Sequence, residues 1–390
     1  ALGMTDIDDK IIRKAVADKG GLSPLAIARH FENEFFEDLA TLGVEQPDVV
    51  LRVTEHVTDI VDYIAELEQK GFAYVNETDN SVYFDVGAFN SANSDTHYGK
   101  MGPVSAVLGT EHDDMYNADE GDEDGLDKQL KRDPRDFVLW KAAKDWEPTS
   151  VQWPSPWGVG RPGWHIECSV MSRVACGDYL DLHSGGVDLK FPHHCNEVAQ
   201  SEAFNGPGVA GCCDNTHALH QPWSRFFLHT GHLYIDGLKM SKSLKNFISV
   251  RELLQARSEG SKFTADTFRM FCLQYSYRSS VHYSEDRMAE SNSLLRRFGM
   301  FFEVSEALIT ESRRTTLAAA HAEADPASQK PGTVQVTRKK WTAAEHTLRE
   351  HLSTCRSDVQ TALANDFDTS SALQALNKLL EVVLSWSSDS

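Results

Sequence analysis

Lys239-Met240-Ser241-Lys242-Ser243 puts two ammonium groups and two hydroxyls into five consecutive residues. A loop of that composition can surround a triphosphate and stabilise the charge that develops as its α–β bond breaks. The alternative is a solvated basic loop with no ligand. Ser249-Val250-Arg251-Glu252 follows as a capping box, so the stretch predicts a loop that ends near a helix N-terminus. Upstream, Gly186-Val187-Asp188-Leu189-Lys190-Phe191-Pro192-His193 runs into His194-Cys195-Asn196-Glu197. Pro192 suits a first helical turn, and His193 and Glu197, four apart, then share a face and can reach one ion. Cys168, in Gly163-Trp164-His165-Ile166-Glu167-Cys168, offers a third, softer ligand. Taken alone, such a His/Glu pair is more often a surface pair and a single Cys more often core.

Around these stretches the chain alternates. From Thr54, a capping candidate, Val57, Ile60, Val61, Ile64 and Leu67 fall on one helical face, and Gly71 marks the stop. The runs 72–75 and 82–86, separated by Asn76, Asp79, Asn80 and Ser81, predict a β-hairpin inserted into a larger α/β domain. Residues 146–164 are dense in Trp, Pro and Gly and read as a rigid ordered loop. From Pro162 to about residue 280, short apolar runs alternate with helical patterns, as βα units around a mostly parallel sheet require. After Tyr283 only helical spacing remains, interrupted by a polar stretch at 312–340 that reads as a flexible connection.

The chain of 390 residues, 41% hydrophobic, is long enough for two or three packed domains. No apolar run reaches the 18 or so residues that a membrane span needs, and Ala1-Leu2-Gly3-Met4 does not open a secretory signal. Seven irregularly spaced cysteines in a domain that needs no staples point to a reducing compartment. A net charge of −20 means that any nucleic acid must meet a local basic patch. Part of that acidity is concentrated between Glu111 and Asp127, which reads as a solvated acidic loop spanning about 109–128.

Lys239 to Ser243 resembles the K-M-S-K-S signature of class I aminoacyl-tRNA synthetases, whose nucleotide site lies on a Rossmann-type sheet. Gly186 to His193 is similar to the G-x-D-x-x-x-P-H pattern of the methionine- and cysteine-type members. The phrases 163–168 and 191–197 closely resemble those of cysteinyl-tRNA synthetases, as do Thr5-Asp6-Ile7-Asp8-Asp9-Lys10, Tyr98-Gly99-Lys100, Asp136 to Lys141 and Pro154 to Gly158, in the family's order. Lys245, where bacterial relatives usually have Gly, looks eukaryotic.

The resemblance implies a Rossmann-type parallel-sheet catalytic domain over 1–284, with an inserted hairpin-containing region, and an all-α anticodon-side domain over 285–390. It implies Lys239 and Lys242 as catalytic residues, and Gly186, Asp188, Lys239, Met240, Ser241, Lys242 and Ser243 at ATP, with Asp188 near the ribose. Cys168, His193 and Glu197 are the implied zinc ligands. The fourth ligand, a cysteine, and the family's H-x-G-H histidines would belong to a segment upstream of Ala1, so the chain reads as truncated there. His229-Thr230-Gly231-His232 mimics that H-x-G-H signature but lies too close to Lys239 in sequence, and we read it as coincidental. Cys195, where many relatives carry Glu, follows His193 by two and should face elsewhere. Trp164 would close the substrate pocket, and Thr5 would either line it or cap a helix. ATP, Mg²⁺, Zn²⁺, L-cysteine and tRNA(Cys) are the implied ligands and partners, in the cytoplasm, with an organellar form left open by the upstream segment and the oligomeric state unassigned. The alternatives are a mycothiol-type cysteine ligase and a non-catalytic RNA- or zinc-binding relative.

Overall fold

The computed structural model describes residues 1–17, 21–92, 97–103, 131–206, 222–235, 237–240, 245–255, 263–322 and 341–389. The acidic stretch 109–128 and the triad Ser241-Lys242-Ser243 lie outside the described residues. Two compact units result, Ala1–Thr230 and Gly231–Ser390.

In the first unit, β1 (Leu2–Met4) pairs in parallel with β2 (Val50–Arg52), Leu2 opposite Val50. Between them run α1 (Asp9–Ala17) and α2 (Pro24–Thr41), so the connection is the helical crossover that parallel pairing demands. Ser23 caps α2 by accepting from the Ala26 N–H at 3.2 Å, and Pro24 occupies the first turn. α3 (Val57–Gln69) has the expected face, with Val57, Ile60, Ile64 and Leu67 buried, and the chain leaves through Gly71 at φ 84°. Thr54 is not its cap. Its N–H and hydroxyl instead donate to the Asp6 carboxylate at 3.0 and 2.6 Å, tying the turn before α3 to the loop after β1.

The hairpin is β3 (Ala73–Val75) and β4 (Val82–Phe84), and it continues into an antiparallel sheet of order β3-β4-β5-β7-β6 with β5 (Phe137–Ala142), β6 (Trp153–Ser155) and β7 (Gly158–Pro162). A short helix, α4 (Val86–Ala92), follows β4. The Trp/Pro/Gly-rich stretch is therefore partly strand rather than loop. Pro154 is tolerated because β6 is the sheet's edge, where a missing N–H breaks no ladder bond, and Gly158 turns the chain at φ 117°. Leu139, Trp140, Phe84 and Phe137 fill the core with the buried face of α3.

Arg161 on β7 is buried between two acids, its Nε 3.2 Å from the buried Glu147 and its guanidinium also bonded to Asp9, which Lys141 contacts at 3.1 Å. Removing the cation would leave the buried Glu147 charge with only the Lys144 N–H, at 3.2 Å, to balance it. Arg161→Ala is expected to cost about 3–5 kcal/mol in urea unfolding, and a loss below about 1 kcal/mol would show the cluster to be solvated rather than buried.

α5 (Trp164–Cys176) and α6 (His193–Asn205) pack on the same core through Ile166, Val170, Ala199 and Ala203. β8 (Leu180–Gly186) precedes α6, and β9 (Ser224–Thr230) pairs with it in parallel, Gly186 opposite Thr230.

In the second unit β10 (Leu233–Ile235) pairs antiparallel with β11 (Leu238–Lys239) and parallel with β12 (Val281–Tyr283). α7 (Val250–Gln255) begins with the expected capping box, Ser249 N and Oγ to Glu252 and the Glu252 N–H back to Ser249 Oγ at 3.1 Å. α8 (Ala265–Leu273), α9 (Glu285–Ala322), α10 (Ala343–Ala364) and α11 (Thr369–Asp389) complete it. The compact boundary at Thr230 precedes the 284/285 boundary read from the sequence, because Leu253, Phe263 and Phe271 share a core with Met288 of α9. Residues 312–322, read as flexible, continue α9, and 323–340 lie outside the described residues. Among the described residues no helix is long and apolar enough to cross a membrane.

Candidate active site

Gly163, the residue before α5, decides how that helix meets the sheet: a Cβ there would lie 2.3 Å from the Val138 carbonyl oxygen of β5. Only glycine allows this close approach. Trp164 opens the helix, and Cys168, four residues on, projects from the same face. On α6, His193 and Glu197 have the same spacing, with His193 Nε2 3.2 Å from Glu197 Oε1. The packing of α5 against α6 brings Cys168 Sγ, a His193 ring nitrogen and a Glu197 carboxylate oxygen within 4.8 Å of one another. The Trp164 ring lies 4.3 Å from that of His193 at 36°.

This donor set is costly as it stands. Burial drives the Cys168 thiol well up, and the charges of Glu197 and Glu167 add to the effect. Burial also opposes ionisation of Glu197, which is fully buried, but His193, His183 and His194 outweigh it and hold the carboxyl below its ordinary range. His183 Nε2 lies between the two Glu197 oxygens, 3.2 Å from Oε1, which it bonds, and 3.1 Å from Oε2, to which it is poorly aimed. A thiol pushed toward neutrality beside a fully buried carboxylate is what a dication would resolve, by neutralising the carboxylate and stabilising a thiolate. One soft sulfur, one imidazole and one carboxylate fit zinc, with a position left for a further ligand.

Glu197 also belongs to a second convergent set, with His183 of β8 and His194 of α6. Sequence reading missed both histidines, as it missed His165, because nothing in their spacing signals a shared site. His194 is held down to about 3, burial being the largest cause, and its Nδ1 lies 2.9 Å from His229 Nε2. His229 thus ends up on β9 within a histidine cluster, while His232 lies in the other compact unit. Gly185 makes room for this cluster: a Cβ there would be 2.9 Å from the His194 ring. Glu197 is shared between the two sets, and the set with Cys168 is the one that adds a soft sulfur donor.

Cys195 joins neither set. It is buried, accepts from the Met101 N–H at 3.3 Å, and burial pushes its thiol up to about 11. It faces away from His193, as expected two positions along a helix.

Asp188 sits in the turn after β8, and a Cβ on Gly186 would lie 2.3 Å from its Oδ1, so the glycine leaves room for the carboxylate in the orientation it holds here. Thr5 donates its hydroxyl to Glu167 Oε2 at 3.1 Å, and Asp8 serves α1 by accepting from the Ile11 N–H at 2.7 Å. Thr5 is therefore not a helix cap. Burial raises the Glu167 carboxyl well above its ordinary range, against the effect of the Thr5 hydrogen bond. Lys239 lies on β11 with its backbone opposite Tyr234, and the Met240 N–H donates to the Leu233 carbonyl at 2.9 Å.

A family model described as the tRNA synthetases class I (C) catalytic domain matches residues 2–293. The cytoplasmic cysteine–tRNA ligase of Dictyostelium discoideum is 39% identical over 382 residues, 97% of this chain and 49% of that protein. The cysteine–tRNA ligase of Thermococcus onnurineus is 37% identical over 98% of this chain and 66% of that protein. The chain thus spans 49% and 66% of these two relatives' length. A relative named as a mitochondrial cysteine–tRNA ligase, from Xenopus tropicalis, is 40% identical over 78% of this chain and 46% of that protein. Among solved structures, Mycobacterium tuberculosis methionyl-tRNA synthetase in complex with methionyl-adenylate aligns with 99% of this chain and 75% of its own at TM-score 0.62 and 16% identity, which shows a shared fold. With the family model covering most of the chain and the two-helix site formed by its own motifs, the chain belongs to the class I (C) tRNA synthetases.

Proposed function

We propose that this chain carries the activity of a cytoplasmic cysteine–tRNA ligase, which activates L-cysteine with ATP and transfers it to tRNA(Cys). In the first step the cysteine carboxylate attacks the α-phosphorus, the α–β bond breaks and pyrophosphate leaves. In the second, a terminal ribose hydroxyl of the tRNA attacks the acyl carbon, loses its proton and displaces AMP. The observation that carries this reading is the convergence of Cys168, His193 and Glu197 from two helices beneath Trp164.

Zinc held by these three residues would supply a Lewis-acidic centre that prefers a thiolate to the hydroxyl of serine, so selection need not rely on editing. Cys168 contributes the sulfur, His193 orients its imidazole through α6, and Glu197 supplies the charge that the buried site otherwise lacks. Trp164 walls the pocket and limits its volume. Asp188 is assigned to the ATP ribose and Gly186 to the backbone beside it, while Lys239, Met240, Ser241, Lys242 and Ser243 are assigned to the phosphates together with Mg²⁺. Residues 1–284 form the catalytic part in this reading, and 285–390 the helical part that faces the anticodon side of the tRNA.

Cysteine-dependent ATP–pyrophosphate exchange by the full-length protein, followed by charging of tRNA(Cys), tests the proposal. Exchange without charging of any tRNA would point instead to a ligase that passes cysteine to a small amine, and no exchange would leave a binding protein. Trp164→Ala is expected to raise the KM for cysteine about tenfold with a smaller change in kcat, since the ring confines the substrate rather than reacting. An unchanged KM would remove Trp164 from the pocket.

A further inference from the structure

His165 lies beside the ligand set without joining it. It follows Trp164 directly on α5, is fully buried, and its Nδ1 is 2.8 Å from His193 Nδ1. The two rings are 4.9 Å apart at 53°, and Phe137 packs edge-on against His165 at 5.8 Å and 88°. We propose that His165 is a positioning residue that sets the tautomer of His193, so that His193 presents Nε2 and not Nδ1 to the metal. The inference rests on the zinc reading above and extends it to a residue outside the ligand set.

The argument is one of proton placement. A neutral imidazole carries one N–H and one lone pair, and the nitrogen that binds a metal must carry the lone pair. His193 Nε2 is the nitrogen that faces its fellow ligand, 3.2 Å from Glu197 Oε1. For Nε2 to bind, the His193 proton must sit on Nδ1 and be donated to His165 Nδ1. His165 must then accept there and keep its own proton on Nε2. Without a cation, both protons can be exchanged between positions: His193 Nε2–H donates to Glu197, and His165 Nδ1–H donates to His193. Each ring keeps one proton in either arrangement. Among the described residues His165 Nε2 meets no hydrogen-bond partner, so the preference between the two is decided at the shared Nδ1···Nδ1 bond and at the metal. Full burial and the edge-on packing of Phe137 favour this ring orientation, and outer partners held in this way orient and strengthen metal-bound imidazoles.

The test is zinc affinity of the full-length protein, measured by competition with a chromophoric chelator, together with ¹⁵N NMR of the histidine rings in the zinc-loaded protein. Wild-type protein should show His193 bound through Nε2 with its proton on Nδ1. His165→Phe should bind zinc ten- to a hundredfold more weakly. His165→Asn, whose amide oxygen can take the place of Nδ1 as acceptor, should recover most of that loss. Wild-type affinity in His165→Phe would overturn the proposal, as would an equal loss in both variants. Should the Phe variant not fold, the wild-type spectrum still decides, because His193 bound through Nδ1 contradicts the proposal. Wild-type protein that binds no zinc through Cys168, His193 and Glu197 overturns the metal reading itself and the role of His165 with it.

Discussion

Cys168→Ser is expected to remove tightly bound zinc and to lower cysteine-dependent pyrophosphate exchange on the order of a thousandfold. The substitution is nearly isosteric, so the packing of α5 against α6 should survive and the effect should be chemical. In place of a sulfur that a cation can hold as thiolate, serine offers a hydroxyl that stays protonated and binds zinc poorly. The remaining imidazole and carboxylate, His193 and Glu197, lie on one helix and form too few ligands for a tetrahedral site. Metal content per chain and exchange rate should fall together. A folded variant with one zinc per chain and near-normal exchange would mean that the ion is held by other residues, of which His183 and His194 with Glu197 are the alternative set.

Lys242→Ala should lower cysteine-dependent exchange on the order of a hundredfold or more while leaving cysteine binding nearly unchanged. Lys242 is assigned to the phosphates, where charge builds only as the α–β bond breaks, so its ammonium group stabilises the transition state more than bound substrate. The loss should therefore appear in kcat, with the KM for cysteine little altered. A full-length variant with near-normal exchange would remove Lys242 from the mechanism.

Local chemistry was enough for much of this protein. The helix 57–69 was legible because five apolar residues at helical spacing can only bury one face, and the box at Ser249 because its two hydrogen bonds span three residues. The His193/Glu197 pairing follows from helix geometry alone, and so does the exclusion of Cys195. Thr54 failed as a cap because Asp6, distant in sequence, competes for the same hydroxyl. The strands at 153–162 were hidden because Pro and Gly density signals a turn unless the strand is an edge, and edge position is a property of the sheet.

By itself, then, the sequence determined which residue types the chemistry has to work with and how neighbours within one helix are spaced, since backbone geometry fixes both over a few residues. Only the tertiary structure decided that Cys168 meets His193 and Glu197, that Gly163 lets α5 come close enough for this, that His165 meets the His193 imidazole and His183 and His194 the Glu197 carboxylate, and that His229 backs His194. A histidine's partners come from whichever elements the packed core brings against it, and no period in the chain records that contact.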